Sequence, residues 1–196
     1  METFEGLLRF FHVMSFVFMS VPLFNLIVVN ERASMGTPFN YHADRYMENI
    51  IKNGAYRCFV FQASAFISGL LLLQFGSLGI EDLWLNRVVL AKTILLFLLT
   101  GLLSYVHFSL QPKIESFIST IGPDTEVPGD LAGNLKPYRV RRKRLATFCL
   151  FLVIVTIILG LQVYGSFTPL LNIILIGLAG LFAMKVNKTL LRFGWV

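Results

Sequence analysis

Five blocks of this sequence run for roughly 17 to 25 residues with almost no charge, the length and character a helix needs to cross the hydrocarbon core of a bilayer. They occupy 7–29, 54–75, 87–110, 145–164 and 168–184. A soluble core built from 196 residues could not bury that much unbroken apolar surface. Only 14% of the residues are charged, against about 25% in a soluble domain. Inside hydrocarbon each segment must satisfy its own backbone N–H and C=O groups, and an isolated apolar run does so only as a helix. The sequence therefore predicts an all-α fold, a polytopic transmembrane bundle of five spans forming one membrane domain over 1–196. Gly165-Ser166-Phe167-Thr168-Pro169 breaks the last apolar stretch in two and predicts a helical hairpin. Glu2 and Glu5 stand where a secretory signal needs basic residues, so the first block reads as a mature span.

Basic residues set the orientation. Of the seventeen Lys and Arg, all but Arg9, Arg87 and Lys92 fall on one side of the predicted spans. That side becomes the cytoplasm, holding the loops 30–53 and 111–144 and the C-terminal Val196, with the N-terminus outside. The run Arg139-Val140-Arg141-Arg142-Lys143-Arg144 then reads as a topology anchor or a contact for acidic lipid headgroups at the start of the fourth span. Arg57 sits near a helix end where it can snorkel to the same headgroups. The net charge of +6 calls for no nucleic-acid partner. Within the loops, 42–53 reads as a short amphipathic helix with Tyr46, Ile50 and Met47 or Ile51 facing lipid or a partner. Ile114, Phe117, Ile118 and Ile121 recur at helical spacing for a place in the interface. Gly122-Pro123-Asp124, Pro128-Gly129-Asp130 and Gly133-Asn134 read as turns.

No GxGxxG, P-loop, CxxC, HExxH or EF-hand pattern occurs, which leaves soluble-enzyme chemistry without a motif. Cys58 and Cys149 lie inside apolar blocks and read as small buried hydrophobes. Attention passes to the ionisable groups at membrane depth, which are expensive to place there: His12, Arg57, Lys92 and His107. His12, Ser15, Met19 and Pro22 make one stripe on the first helix, which should face other helices. Thr93, Thr100, Ser104 and His107 share a face of the third, and Lys92 and His107 differ by about 60° after whole turns, so both can point into the bundle. At 1.5 Å per residue, His12 and Lys92 lie level, about 7 to 8 Å below the outer ends of their spans. His107 lies about 15–20 Å deeper, too far to share one iron with His12.

Two readings of these groups stay open. In one, His12 ligates a haem iron or a copper ion near the outer face, and His107 serves a second site or a proton relay. In the other, both histidines hydrogen-bond to carbonyls or hydroxyls of neighbouring helices and tune packing. Copper has less support, since Met14 and Met19 form no repeated Met or Cys cluster.

Leu8-Arg9-Phe10-Phe11-His12-Val13-Met14-Ser15, a second helix ending in Ser68-Gly69-Leu70-Leu71-Leu72, and Leu90-Ala91-Lys92-Thr93-Ile94-Leu95-Leu96 running through His107 to Gln111-Pro112 resemble the CopD/HemJ-like superfamily over roughly 7–161. Members are small helical bundles, some linked to copper handling, others to haem binding and protoporphyrinogen oxidation. The resemblance implies that His12 is the first-helix histidine and Lys92 the third-helix lysine. His107 stands farther from that lysine than in HemJ-like helices, with Leu103 in the nearer place. The leading expectation is a membrane subunit of a larger electron-transfer assembly in a bacterial inner membrane, among lipids and other membrane subunits. It holds a b-type haem at His12, with Lys92 and His107 as further cofactor-binding candidates, or contributes only helices, and is not an enzyme on its own. A protoporphyrinogen oxidase and a copper-handling protein are the alternatives.

Overall fold

The computed structural model describes residues 2–34, 39–123, 127–163, 165 and 167–189. Asp124, Ser166 and Val196, named above, lie outside the described residues, as do the last residue of the span 145–164 and one of the basic residues counted, Arg192. The chain runs as α1 (Glu2–Asn30), a 3-10 turn (Glu31–Ser34), α2 (Tyr41–Phe75), a one-turn α3 (Asp82–Leu85), α4 (Arg87–Tyr105), a π-helical turn (Val106–Leu110), α5 (Gln111–Ile118), α6 (Leu131–Gln162) and α7 (Pro169–Thr189). Among the described residues five stretches are long and apolar enough to cross a membrane: Thr3–Asn30, Tyr41–Phe75, Arg87–Ile118, Leu131–Gln162 and Pro169–Lys188. The protein is an all-α, multi-pass integral membrane bundle.

α1 packs on α2 and α6, and α4 packs on the same two helices, so α2 and α6 face each other across the axis of a four-helix core. α7 lies outside this core against α6. Met19, Ala65, Leu99 and Val153 pack together on the axis, one residue from each core helix.

The region read as a loop over 30–53 is largely helical. Asn40 caps α2, its side chain accepting from the Ala43 N–H at 3.0 Å, and its own N–H donates to Asp44 at 2.8 Å. From there Asp44, Glu48, Ile51, Ala55, Cys58, Gln62 and Ala65 are all buried in alternating steps of four and three. That spacing keeps one seam on the bundle axis for six turns, so extension and span form a single helix. The expected outward stripe is correspondingly changed. Tyr46 is exposed, Ile51 is buried, and carboxylates occupy the inward face.

The region 111–144 is corrected in the same sense. Ile114, Ile118 and Ile121 are buried against Leu131 and Leu135, inside the protein and away from lipid. Gly133 and Asn134, read as a turn, lie in the first turn of α6. A glycine in a helix costs about 1 kcal/mol relative to alanine, less than the burial of Leu131 and Leu135 returns.

Candidate functional site

His12 on α1 and Lys92 on α4 line one cavity of about 320 Å³, bounded by α1, α2, α4 and α6 at the end of the bundle opposite most of the basic residues. Their equal depth brings them together. Arg9 joins the lining one turn before His12 and pairs with Glu5. The walls are otherwise mainly apolar, with Thr93 and Thr156 as hydroxyl-bearing exceptions. Both hydroxyls donate to carbonyls of their own helices, Val89 at 3.0 Å and Leu152 at 2.8 Å.

Ser68 on α2 constrains the imidazole. Ser68 Oγ lies 2.6 Å from the Ser64 carbonyl, to which its one proton is donated, and 3.0 Å from His12 Nδ1. With that proton committed, Ser68 can only accept from His12, so Nδ1 carries the hydrogen and Nε2 keeps its lone pair. Phe16 holds the ring edge-on at 5.3 Å between centroids. Gly69 makes room for it: a Cβ there would stand 3.1 Å from His12 Cε1. Gly160 does the same for Lys92, where a Cβ would stand 3.3 Å from Nζ. Among the described residues no carboxylate pairs with Lys92.

His107 is elsewhere. It sits on the π-helical turn, its ring edge-on to Tyr56, Phe59 and Phe108 at 5.1, 5.9 and 4.8 Å. Its Nδ1 is buried without a hydrogen-bond partner. It does not line the His12 cavity, and the carbonyl or hydroxyl partner considered for it is not found at that nitrogen. The π turn rotates the chain less per residue than an α-helix does, so it changes the shared face that a regular α-helix implies for Lys92 and His107.

The basic run divides by helical period. Arg141 and Arg144 are exposed, Arg141 lying 5.3 Å from the Tyr105 ring centroid, and Arg57 is exposed too. Arg139, Arg142 and Lys143 turn inward, away from the headgroup contact that is one reading of the run; their reading as a topology anchor is a separate matter that burial does not touch. Arg139 binds Asp44 at 2.7 Å and Glu48 at 3.0 Å. Arg142, fully buried, reaches Glu48 at 2.7 and 3.0 Å, Asn30 at 2.9 Å and Gln111 at 2.6 Å. Lys143 approaches Glu31 at 3.7 Å, and Arg32 binds Asp44 at 2.9 Å. A buried charge persists only when paired and hydrogen-bonded, so these carboxylates decide which cations turn inward.

Comparison with family models, curated proteins and solved structures finds no match. The assignment of function rests on the site itself.

The cavity combines one imidazole with an available Nε2, two cations and apolar walls. These residues fit an amphiphile with acidic groups, and they fit a b-type haem: His12 would hold the iron, Ser68 would orient His12, and Arg9 and Lys92 would meet the propionates. Among the described residues no group of three or more His, Cys, Asp or Glu stands ready for a metal ion. Ser68 and Gly69 enter the reading of the sequence only through the resemblance, with no role at the site, and Thr156 and Gly160 do not enter it. A serine or glycine in an apolar helix carries no mark of its partner, which lies on another helix.

Proposed function

We propose that this protein is a membrane subunit of a larger electron-transfer assembly in a bacterial inner membrane, binding a b-type haem through His12 near the outer end of the bundle. The observation that carries the reading is the Ser68 contact, which holds His12 with Nδ1 protonated and Nε2 available in a cavity lined by Arg9 and Lys92. Ligating histidines commonly donate their other ring N–H to such an outer partner. Haem supplies a one-electron couple when bound. The chain's own contribution is to ligate, orient, neutralise acidic groups and exclude water from an apolar site. α7 fits the subunit role. Ala179, Ala183 and Val186 are buried while Leu170, Ile173, Leu178 and Leu181 are exposed to lipid or a neighbouring subunit.

Protein purified in mild detergent from haem-supplied cells is expected to show a Soret band and one b haem per chain by pyridine haemochrome. His12→Ala should abolish the band. Ser68→Ala should weaken occupancy by roughly the 10–100-fold that loss of an outer-shell partner costs. A wild-type protein without a Soret band overturns the haem assignment. It would leave His12 a packing residue whose removal costs on the order of 1 kcal/mol. The mass of the detergent-extracted particle tests the assembly, and a solitary chain would refute it.

A further inference from the structure

Midway along the axis of the four-helix core is a second, smaller space of about 20 Å³, enclosed by α1, α2, α4 and α6. That is room for a single water or ion. At 1.5 Å per residue it lies about 10 Å along the axis from the His12 cavity, since Met19 follows His12 by seven residues. Its lining brings sulfur from three helices: Met19 on α1, Cys58 on α2 and Cys149 on α6, exposed by only 1%, 3% and 4%. Both cysteines are free, and the Cys58 thiol points its weak donor at the Met19 carbonyl, 3.8 Å away. Gln62, one turn beyond Cys58, lines the same space; it is 6% exposed, and its Oε1 is buried without a hydrogen-bond partner. A buried acceptor left unmet keeps its full desolvation cost, which an occupant of this space would offset.

We infer that this void binds one soft monovalent metal ion of the copper(I) type, with Cys58, Cys149 and Met19 as sulfur ligands and Gln62 as an oxygen neighbour. Thiolate and thioether donors select soft ions. Loading breaks the S–H bond of one thiol: the sulfur keeps the electron pair and bonds the ion, the proton leaves to solvent, and no redox change occurs. One thiolate neutralises a monovalent ion, so the loaded site carries no net charge. A net charge at this depth would be costly. The second thiol and the thioether complete the shell as neutral donors. A divalent ion would require both thiolates for neutrality and has little use for a thioether. The site escapes a reading of the sequence because its sulfurs are single residues on three separate helices, with no local repeat.

The test is an anaerobic titration of the detergent-purified chain with Cu(I) against a competing bathocuproine chelator, followed by X-ray absorption of the loaded protein. One tightly held Cu(I) per chain with a sulfur-dominated shell is expected. Cys58→Ser combined with Cys149→Ser should lower the affinity by more than the roughly 10–100-fold typical of an outer-shell loss. Met19→Leu should weaken it with both thiols still present. No retained Cu(I), a nitrogen-dominated shell that places the ion on a histidine, stronger retention of Zn(II), or unchanged affinity in the double variant would each overturn the proposal. The absorption measurement on unaltered protein decides the matter even if the double variant does not fold.

Discussion

Arg142 illustrates how far a single residue can be understood here from its partners. Its guanidinium is matched by Asn30, Glu48 and Gln111, which come from α1, α2 and the start of α5. Removing one member of a buried ionic network leaves the others uncompensated, at a cost of about 3–5 kcal/mol. Arg142→Ala is therefore expected to destabilise the protein by that amount in denaturant or thermal unfolding in detergent. Arg141→Ala, one residue away but exposed over Tyr105, should cost less than about 1 kcal/mol, the scale of an exposed cation–π contact. Equal losses would contradict the division of the basic run into an inward and an outward face. That division is half visible in the sequence. The spacing of Arg139, Arg142 and Lys143 marks one helical face, and Asp44 and Glu48 mark another, but their pairing across the axis requires knowing which helices oppose each other. Similarly, the depth of His12 and Lys92 is legible by counting residues. Which ring nitrogen of His12 carries the hydrogen is not, because it depends on where the single proton of Ser68 goes.

At the scale of the element, the apolar blocks locate the spans well and their ends poorly. Hydropathy stops where charge begins, whereas helix continues as long as its polar groups find partners. Asn40 and the buried acids extend α2 well before residue 54, and Leu131 and Leu135 start α6 well before 145. The π-helical turn at Val106–Leu110 is equally invisible to hydropathy, since it changes register and not composition. A π turn amounts to one residue more than the α-helix on either side requires. Deleting the lipid-exposed Phe108 should therefore convert the turn to α-helix while keeping Gln111 within reach of Arg142. Deleting Leu98 from the regular part of α4 should instead rotate everything after it by about 100° and separate that pair. Yield and thermal midpoint of the two deletions give the comparison. A Leu98 deletion as stable as the Phe108 deletion would show that the turn is not a one-residue insertion.

For the whole molecule, the axis passes from the His12 cavity through the sulfur-lined void to the Glu48–Arg142 network, and the two ends differ sharply in charge. Counted along the sequence by side of the predicted spans, fourteen Lys and Arg and seven Asp and Glu fall on the side of the network, a sum of +7; three basic and four acidic residues on the other give −1, which together make the net +6. Inside the folded protein Arg139, Arg142 and Lys143 pair with Asp44, Glu48 and Glu31, which cancels six buried charges and leaves the net of that end unchanged. Orientation is nevertheless set by Lys and Arg counts as segments insert, before those pairs can form, and acidic residues weigh little in it. The network end is accordingly expected in the cytoplasm and the His12 cavity near the outer face. Gly79, in the connection after α2, and Asn134, early in α6, are both exposed and lie at opposite ends. The native cysteines are buried and should stay silent to a membrane-impermeant maleimide. Gly79→Cys should label in intact cells, and Asn134→Cys only after the membrane is opened. The reverse pattern would invert the orientation, and labelling of both from outside would remove the alternation of spans on which the bundle depends.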